Sequence, residues 1–108
     1  MQIKYNKKFE KRTDEIVSFI WKDSPANAVK FYDSLLEAIE NITFMPYKHR
    51  KSTAFNNQQI RDLIFKDYVI PFYIDEKNNS IEILSIYSRN LPWNLKKYTI
   101  IKQSLYLK

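Results

Sequence analysis

The 108-residue sequence contains no glycine and no cysteine, and it has a single histidine, His49. Each absence excludes a class of chemistry. Without glycine there is no Gly-rich loop to cradle phosphates and no dinucleotide-binding fingerprint, because both need backbone that a side chain obstructs. Tight turns have to rely on Asn, Asp and Pro instead, and Asn78-Asn79 reads as one. Without cysteine there is no disulfide framework, no thiol nucleophile and no thiolate metal site. One histidine cannot furnish a two-histidine site, so no metal and no cofactor is expected. Uninterrupted apolar runs are a few residues long, far short of the roughly 20 that cross a bilayer. The opening Met1-Gln2-Ile3-Lys4-Tyr5 carries no apolar leader. The expectation is a soluble, cytoplasmic protein without a membrane partner.

What the chain does hold is apolar and basic. Hydrophobic residues make up 44% and aromatics 16%, too much for a disordered chain. The length suits one domain over residues 1–108, able to bury roughly two-thirds of its unfolded surface. Eighteen Lys and Arg against twelve Asp and Glu leave a formal charge of +6, which draws polyanions from a distance. Only Arg12, Arg50, Arg61 and Arg89 are arginines, and the other fourteen basic residues are lysines. The base composition of a genome produces such a lysine excess as readily as function does.

Gln2 to Tyr5 alternates polar and apolar residues as a short strand does. From Lys7 to Lys22 the spacing becomes helical, with Phe9, Ile16, Phe19 and Ile20 on the apolar side. Asp23-Ser24-Pro25 restarts a helix, Ser24 capping open amides and Pro25 taking the first helical position, where its missing N–H costs nothing. Ala28, Phe31, Tyr32, Leu35, Ile39 and Ile42 continue the apolar stripe until Pro46 stops it near Thr43 to Met45. A loop over Tyr47 to Gln58 follows, and then the period changes to two. Ile60–Phe65, Tyr68–Ile74 and Ile81–Tyr87 read as strands of a meander, the first two joined by Lys66-Asp67. Pro71 lacks a ladder donor and predicts a bulge or a missing bond. Tyr98, Ile101 and Leu105 predict a terminal helix within Trp93–Leu107. The fold class is α+β: an N-terminal helical hairpin packed on a small twisted antiparallel sheet, with a C-terminal helix.

Three places carry charge suited to chemistry. With Ile60 and Phe65 taken inward, Arg61 points to the open sheet face, where its guanidinium could hold a phosphate; its other reading is a surface ion pair with Asp62. Tyr47-Lys48-His49-Arg50-Lys51 mixes aromatic and cationic groups as nucleic-acid contacts do, although positive charge is also favoured after a helix end. Tyr87 and Arg89 close the last strand, the arginine placed to lower the phenol pKa or to stabilise transition-state charge. Against this stands burial of Tyr87 as one core aromatic among many. The carboxylate pairs Asp14-Glu15, Glu37 with Glu40, and Asp75-Glu76 form no acid–base dyad.

Ser24-Pro25-x-x-Ala28-x-x-Phe31, Pro46, Ile60-Arg61-x-Leu63, Tyr68-x-Ile70 and Ile81-x-Ile83-Leu84, in this order, resemble the RelE/ParE toxin superfamily from about residue 3 to residue 93. The Ser-Pro helix start looks more ParE-like. The resemblance implies a type II toxin–antitoxin toxin, held by a cognate antitoxin and forming a toxin dimer or a heterotetramer with it. A ParE-like toxin arrests growth by inhibiting DNA gyrase. A RelE-like one cleaves mRNA on the ribosome without a metal, and here Arg61, Tyr87 and Arg89 would be its catalytic set. On either branch Lys48, Arg50, Lys51, Arg61, Lys96 and Lys97 would face target or nucleic acid. ParE-like chains often carry an arginine and a histidine late in the last strand, where this sequence has Ser85 and Ser88. That departure also admits a third reading, an inactive binding module of the same fold.

Overall fold

The structure, a computed structural model, describes residues 1–89. Asn6 caps the first helix by accepting a bond from the Lys8 amide at 2.8 Å, and that helix, α1, runs Lys7–Asp23. Ser24 ends α1 and starts α2 (Pro25–Glu40), its hydroxyl accepting from the Asn27 amide at 3.2 Å with Pro25 behind it. The two helices, joined through this one residue, pack against each other. The helical path then tightens into 3₁₀ turns at Asn41–Phe44 and Pro46–Lys48, so the proline stop acts where the sequence places it.

The sheet consists of β1 (Gln2–Tyr5), β2 (Arg50–Lys51), β3 (Ile60–Phe65), β4 (Tyr68–Asp75), β5 (Ser80–Ile83) and β6 (Tyr87–Ser88). Its order is β1-β5-β4-β3-β2, with β6 also on β4. The first strand runs parallel to β5, pairing Ile3 with Ile81, so the sheet is mixed rather than wholly antiparallel. The short β2 falls inside the stretch read as loop. The terminal helix expected within Trp93–Leu107 lies outside the described residues.

Pro71 has the effect its chemistry requires. Phe72 stands opposite Ile83, while Val69 stands opposite Tyr87. Two residues of β4, Ile70 and Pro71, therefore face three, Leu84, Ser85 and Ile86, and the expected third strand is split in two by a bulge. The Pro71 carbonyl accepts from the Leu84 amide at 2.9 Å. Its ring nitrogen faces the same strand and donates nothing, so the ladder lapses there.

Phe31, Leu35, Ile39 and Ile42 from the helical layer meet Leu63, Phe65, Ile70, Phe72, Ile74, Ile81, Ile83 and Ile86 to form the core. At about 25 cal/mol per Å² of apolar surface, this contact is the main source of stability. Two expected members of the stripes are outside it: Phe19 is 71% exposed and Tyr32 42%. On α1 the buried line is Phe9, Thr13, Ile16 and Ile20. Phe19 sits about a quarter-turn from that line at 100° per residue.

Two turns bear the lack of glycine. Lys66 has φ 53° and Asn79 φ 48°, conformations that a Cβ penalises. The Lys66 ammonium lies 5.7 Å from the Phe31 ring centroid and 5.5 Å from that of Phe65, an attraction that offsets part of the cost. The Asp75 carboxylate braces the second turn by accepting from the Asn78 amide at 3.2 Å and from its side chain at 2.8 Å. Those bonds lower the Asp75 pKa.

Candidate functional site

The face of β3 that meets the helices is set by Leu63 and Phe65, which pair across the ladder with Ile70 and Tyr68. Ile60 and Phe65 are five residues apart and cannot share a face of a strand whose side chains alternate. Arg61, opposite the core residue Phe72, therefore lies on the helix side of the sheet and not on the open one. Nor does it pair with Asp62. Its Nε donates to the Gln58 carbonyl at 2.9 Å, and Nη1 donates to the carbonyls of Tyr47 at 3.2 Å and His49 at 3.1 Å. The guanidinium carbon lies 4.9 Å from the Tyr47 ring centroid. Three backbone acceptors and an aromatic face commit this side chain to holding the 47–58 segment against the sheet.

Asp62 takes the opposite face and is 1% exposed. Arg50, directly across the ladder, donates to its Oδ2 from Nε at 3.2 Å and lies within 3.1 Å through Nη2. The Thr53 amide adds a third donor to the same oxygen at 3.3 Å, while Oδ1 has no partner. Tyr87 borders this group. Burial raises its phenol pKa, the Asp62 charge raises it further, and a side-chain bond to Thr53 and the Arg50 charge oppose the rise. A phenol in this setting holds its proton.

The remaining candidates separate along the fold. Lys48 and Lys51 are exposed at the rim formed by the second 3₁₀ turn and β2. His49 rests edge-on against Phe72 with ring centroids 5.4 Å apart, and burial, then Lys48, lowers its pKa. Tyr47 donates to Glu76 Oε1 at 2.9 Å, and its pKa rises through desolvation and then that bond. Arg89 is exposed, and its amide donates to the Asp67 carbonyl at 2.7 Å, at the end of the β3–β4 hairpin remote from Arg61. Lys96 and Lys97 lie outside the described residues. The structure thus places Lys48, Arg50 and Lys51 along the segment that Arg61 fastens to the sheet edge, with Arg50 and Arg61 on opposite faces. It does not bring Arg61, Tyr87 and Arg89 together, because Tyr87, opposite Val69, is on the other sheet face from Arg61.

Sequence reasoning missed Asp62 as the anchor of this region, although an acid flanked by apolar residues in a strand is a signal for a buried partner. It also missed the use of arginine as a fastener. Arg12 donates to the Oγ of Ser85 at 2.9 Å, and Ser85 is buried. The serine in place of a late-strand arginine thus ties α1 to the bulge. Among the described residues no group of three or more His, Asp or Glu could hold a metal ion, and no helix is long and apolar enough to cross a membrane.

Residues 3–91 match the family model described as the ParE toxin of the type II toxin–antitoxin system parDE. Among solved structures, a chain of a chromosomal ParDE toxin–antitoxin system from P. aeruginosa superposes with a TM-score of 0.65 at 19% identity. That alignment covers 82% of this chain and 95% of that one, and shows a shared fold. Comparison with curated proteins finds no match.

Proposed function

Because the chain belongs to the ParE toxin family of type II toxin–antitoxin systems, we propose that this toxin arrests growth in the cytoplasm by binding and inhibiting DNA gyrase. A cognate antitoxin neutralises it, in a heterotetramer or on a toxin dimer. The observation that carries a binding mechanism is the employment of Arg61. The ribonuclease reading, with Arg61 and Tyr87 in its catalytic set, needs that guanidinium beside a proton-transferring group at one phosphate. Here Arg61 directs Nε and Nη1 to the Gln58, Tyr47 and His49 carbonyls and lies on the other sheet face from Tyr87. What remains for a partner is the rim of Lys48 and Lys51, whose compact charges raise encounter rates with an acidic or nucleic-acid-bound target.

The test is a supercoiling assay with purified gyrase and relaxed plasmid, run beside cell-free translation of a defined message. The expected outcome is loss of supercoiling or accumulation of cleaved DNA, with the message intact. Codon-phased cuts in the message together with unimpaired supercoiling would replace gyrase inhibition with the ribosome-dependent ribonuclease reading.

A further inference from the structure

His49 is the lone histidine of the chain, and its ring sits where a positive charge is poorly received. It stands edge-on to the buried Phe72, with ring centroids 5.4 Å apart. Its Nε2 is buried and has no hydrogen-bond partner. A neutral imidazole carries a proton on one nitrogen, but an imidazolium carries one on each. Charging this ring therefore puts an N–H on Nε2 with no acceptor, and a buried charged donor left unmet is costly. The surroundings add to that cost. Lys48 precedes the ring, Arg50 and Lys51 follow it, and the His49 carbonyl already accepts from Arg61 at 3.1 Å. On the adjoining elements, α2 carries Glu37 and Glu40, β3 carries Asp62, and the end of β4 with its turn carries Asp75 and Glu76. Glu40 acts on Tyr5, Asp62 binds Arg50, Asp75 binds Asn78 and Glu76 binds Tyr47. Burial and then Lys48 lower the His49 pKa, and among the described residues no carboxylate opposes them.

We propose that His49 is an acid-operated latch: protonation swings its ring off Phe72, lifts the Pro46–Lys48 turn from the sheet, and frees Arg61 Nη1 from the Tyr47 and His49 carbonyls. The turn can move as a unit, because the bonds from the Lys48 amide to Met45 and from the His49 amide to Pro46 are internal to it. Its ties to the sheet are the Arg61 bonds, the ring contact with Phe72, and the Tyr47 hydroxyl on Glu76 at 2.9 Å. The hinge is β2, which Arg50 pins to Asp62 at 3.1 Å. Once released, the ring meets water and regains the ordinary imidazole pKa of about 6.5, above that of the closed form. The open form thus binds the proton more tightly. Its share rises as pH falls through about 6.5 towards the closed-form pKa, by up to about tenfold per unit. The freed guanidinium keeps its bond to the Gln58 carbonyl and joins the exposed Lys48 and Lys51 as positive charge for a partner. The latch is independent of which target the toxin blocks.

The test is a proton NMR titration of the full chain from about pH 7.5 to about pH 5, which stays above the ordinary carboxylate range. The His49 ring protons give the midpoint, expected below about 6.5. At about one pH unit below that midpoint roughly nine rings in ten are protonated, and the NOE between the His49 and Phe72 rings should be lost. The Arg61 side chain supplies a second readout, because its guanidinium carbon lies 4.9 Å from the Tyr47 ring centroid and its proton shifts carry that ring current. Those shifts should collapse towards ordinary arginine values along the His49 midpoint. In His49→Phe, and in His49→Met as a second uncharged variant, they should hold constant over the same range. A His49–Phe72 NOE that survives in the protonated ring would overturn the latch. So would a midpoint at or above about 6.5, or Arg61 shifts that ignore the midpoint or move equally in the uncharged variants.

Discussion

Arg50→Ala should be among the most destabilising single changes at the surface of this domain, and the reason lies beneath it. The Arg50 side chain is 45% exposed, whereas that of Asp62 is 0% exposed. Removing the arginine deletes two of the three donors on Asp62 Oδ2, leaving only the Thr53 amide at 3.3 Å, and Oδ1 already has none. Breaking a buried pair from one side costs about 3–5 kcal/mol, because the other charge stays behind uncompensated. Partial hydration of Arg50 places this case near the lower end, at about 3 kcal/mol. For a domain near this size, each kcal/mol shifts Tm by about 4–8 °C, giving a fall of roughly 12 °C or more. Asp62→Asn keeps the shape and an acceptor, and should cost about 1–2 kcal/mol as a charged bond becomes neutral. The double variant should then lose clearly less than the sum of the two singles. Urea denaturation of wild type, both singles and the double completes the cycle. A cost below about 1 kcal/mol for Arg50→Ala, or coupling below about 0.5 kcal/mol, would refute the buried-anchor reasoning.

Two further outcomes follow from the same region. Arg61→Ala should lose about 1–3 kcal/mol, since three carbonyls and the Tyr47 ring lose one shared donor; wild-type stability combined with abolished growth arrest would instead mark a free functional guanidinium, as urea denaturation beside an induction assay would show. For His49, burial and then the neighbouring Lys48 charge lower the folded pKa below the ordinary imidazole value of about 6.5, so the unfolded chain binds the proton first. Stability should therefore fall as pH drops through about 6.5 and towards the folded pKa, and His49→Phe should remove that part of the slope. Denaturation midpoints that decline equally in both proteins between neutral and mildly acidic pH would show that His49 contributes none of it.

Local chemistry made the helical half of the fold legible. Ser24 and Pro25 can only open a helix economically, and Pro46 closes the path where the structure tightens into 3₁₀ turns. Pro71 announced the lapse in the ladder, because a missing donor is a property of the residue itself. Pairing across the chain is another matter. Nothing near Gln2–Tyr5 specifies that it runs parallel to Ser80–Ile83, since that choice depends on how α1 carries the chain back over the sheet. The division of Ile81–Tyr87 is a similar case: the bulge is forced from the neighbouring strand, by Pro71, and not by its own residues.

The site was harder to read for a specific reason. In Ile60-Arg61-Asp62-Leu63-Ile64-Phe65 both phases of the alternation contain apolar residues, so the pattern fits either face inward. The tie is decided by Leu63 and Phe65 meeting the helical layer through Phe31, whose ring lies edge-on to Phe65 at 5.6 Å. That choice sends Asp62 to the other face, where its burial requires a cation. Arg50 supplies it from across β2, and Arg61 is left on the helix side to bind the carbonyls of the same loop. One register choice therefore turns two of the four arginines from candidate phosphate ligands into fasteners. It leaves the exposed lysines to carry the positive field. A charged rim fastened by these bonds is in keeping with the proposed toxin that works by occupying its target.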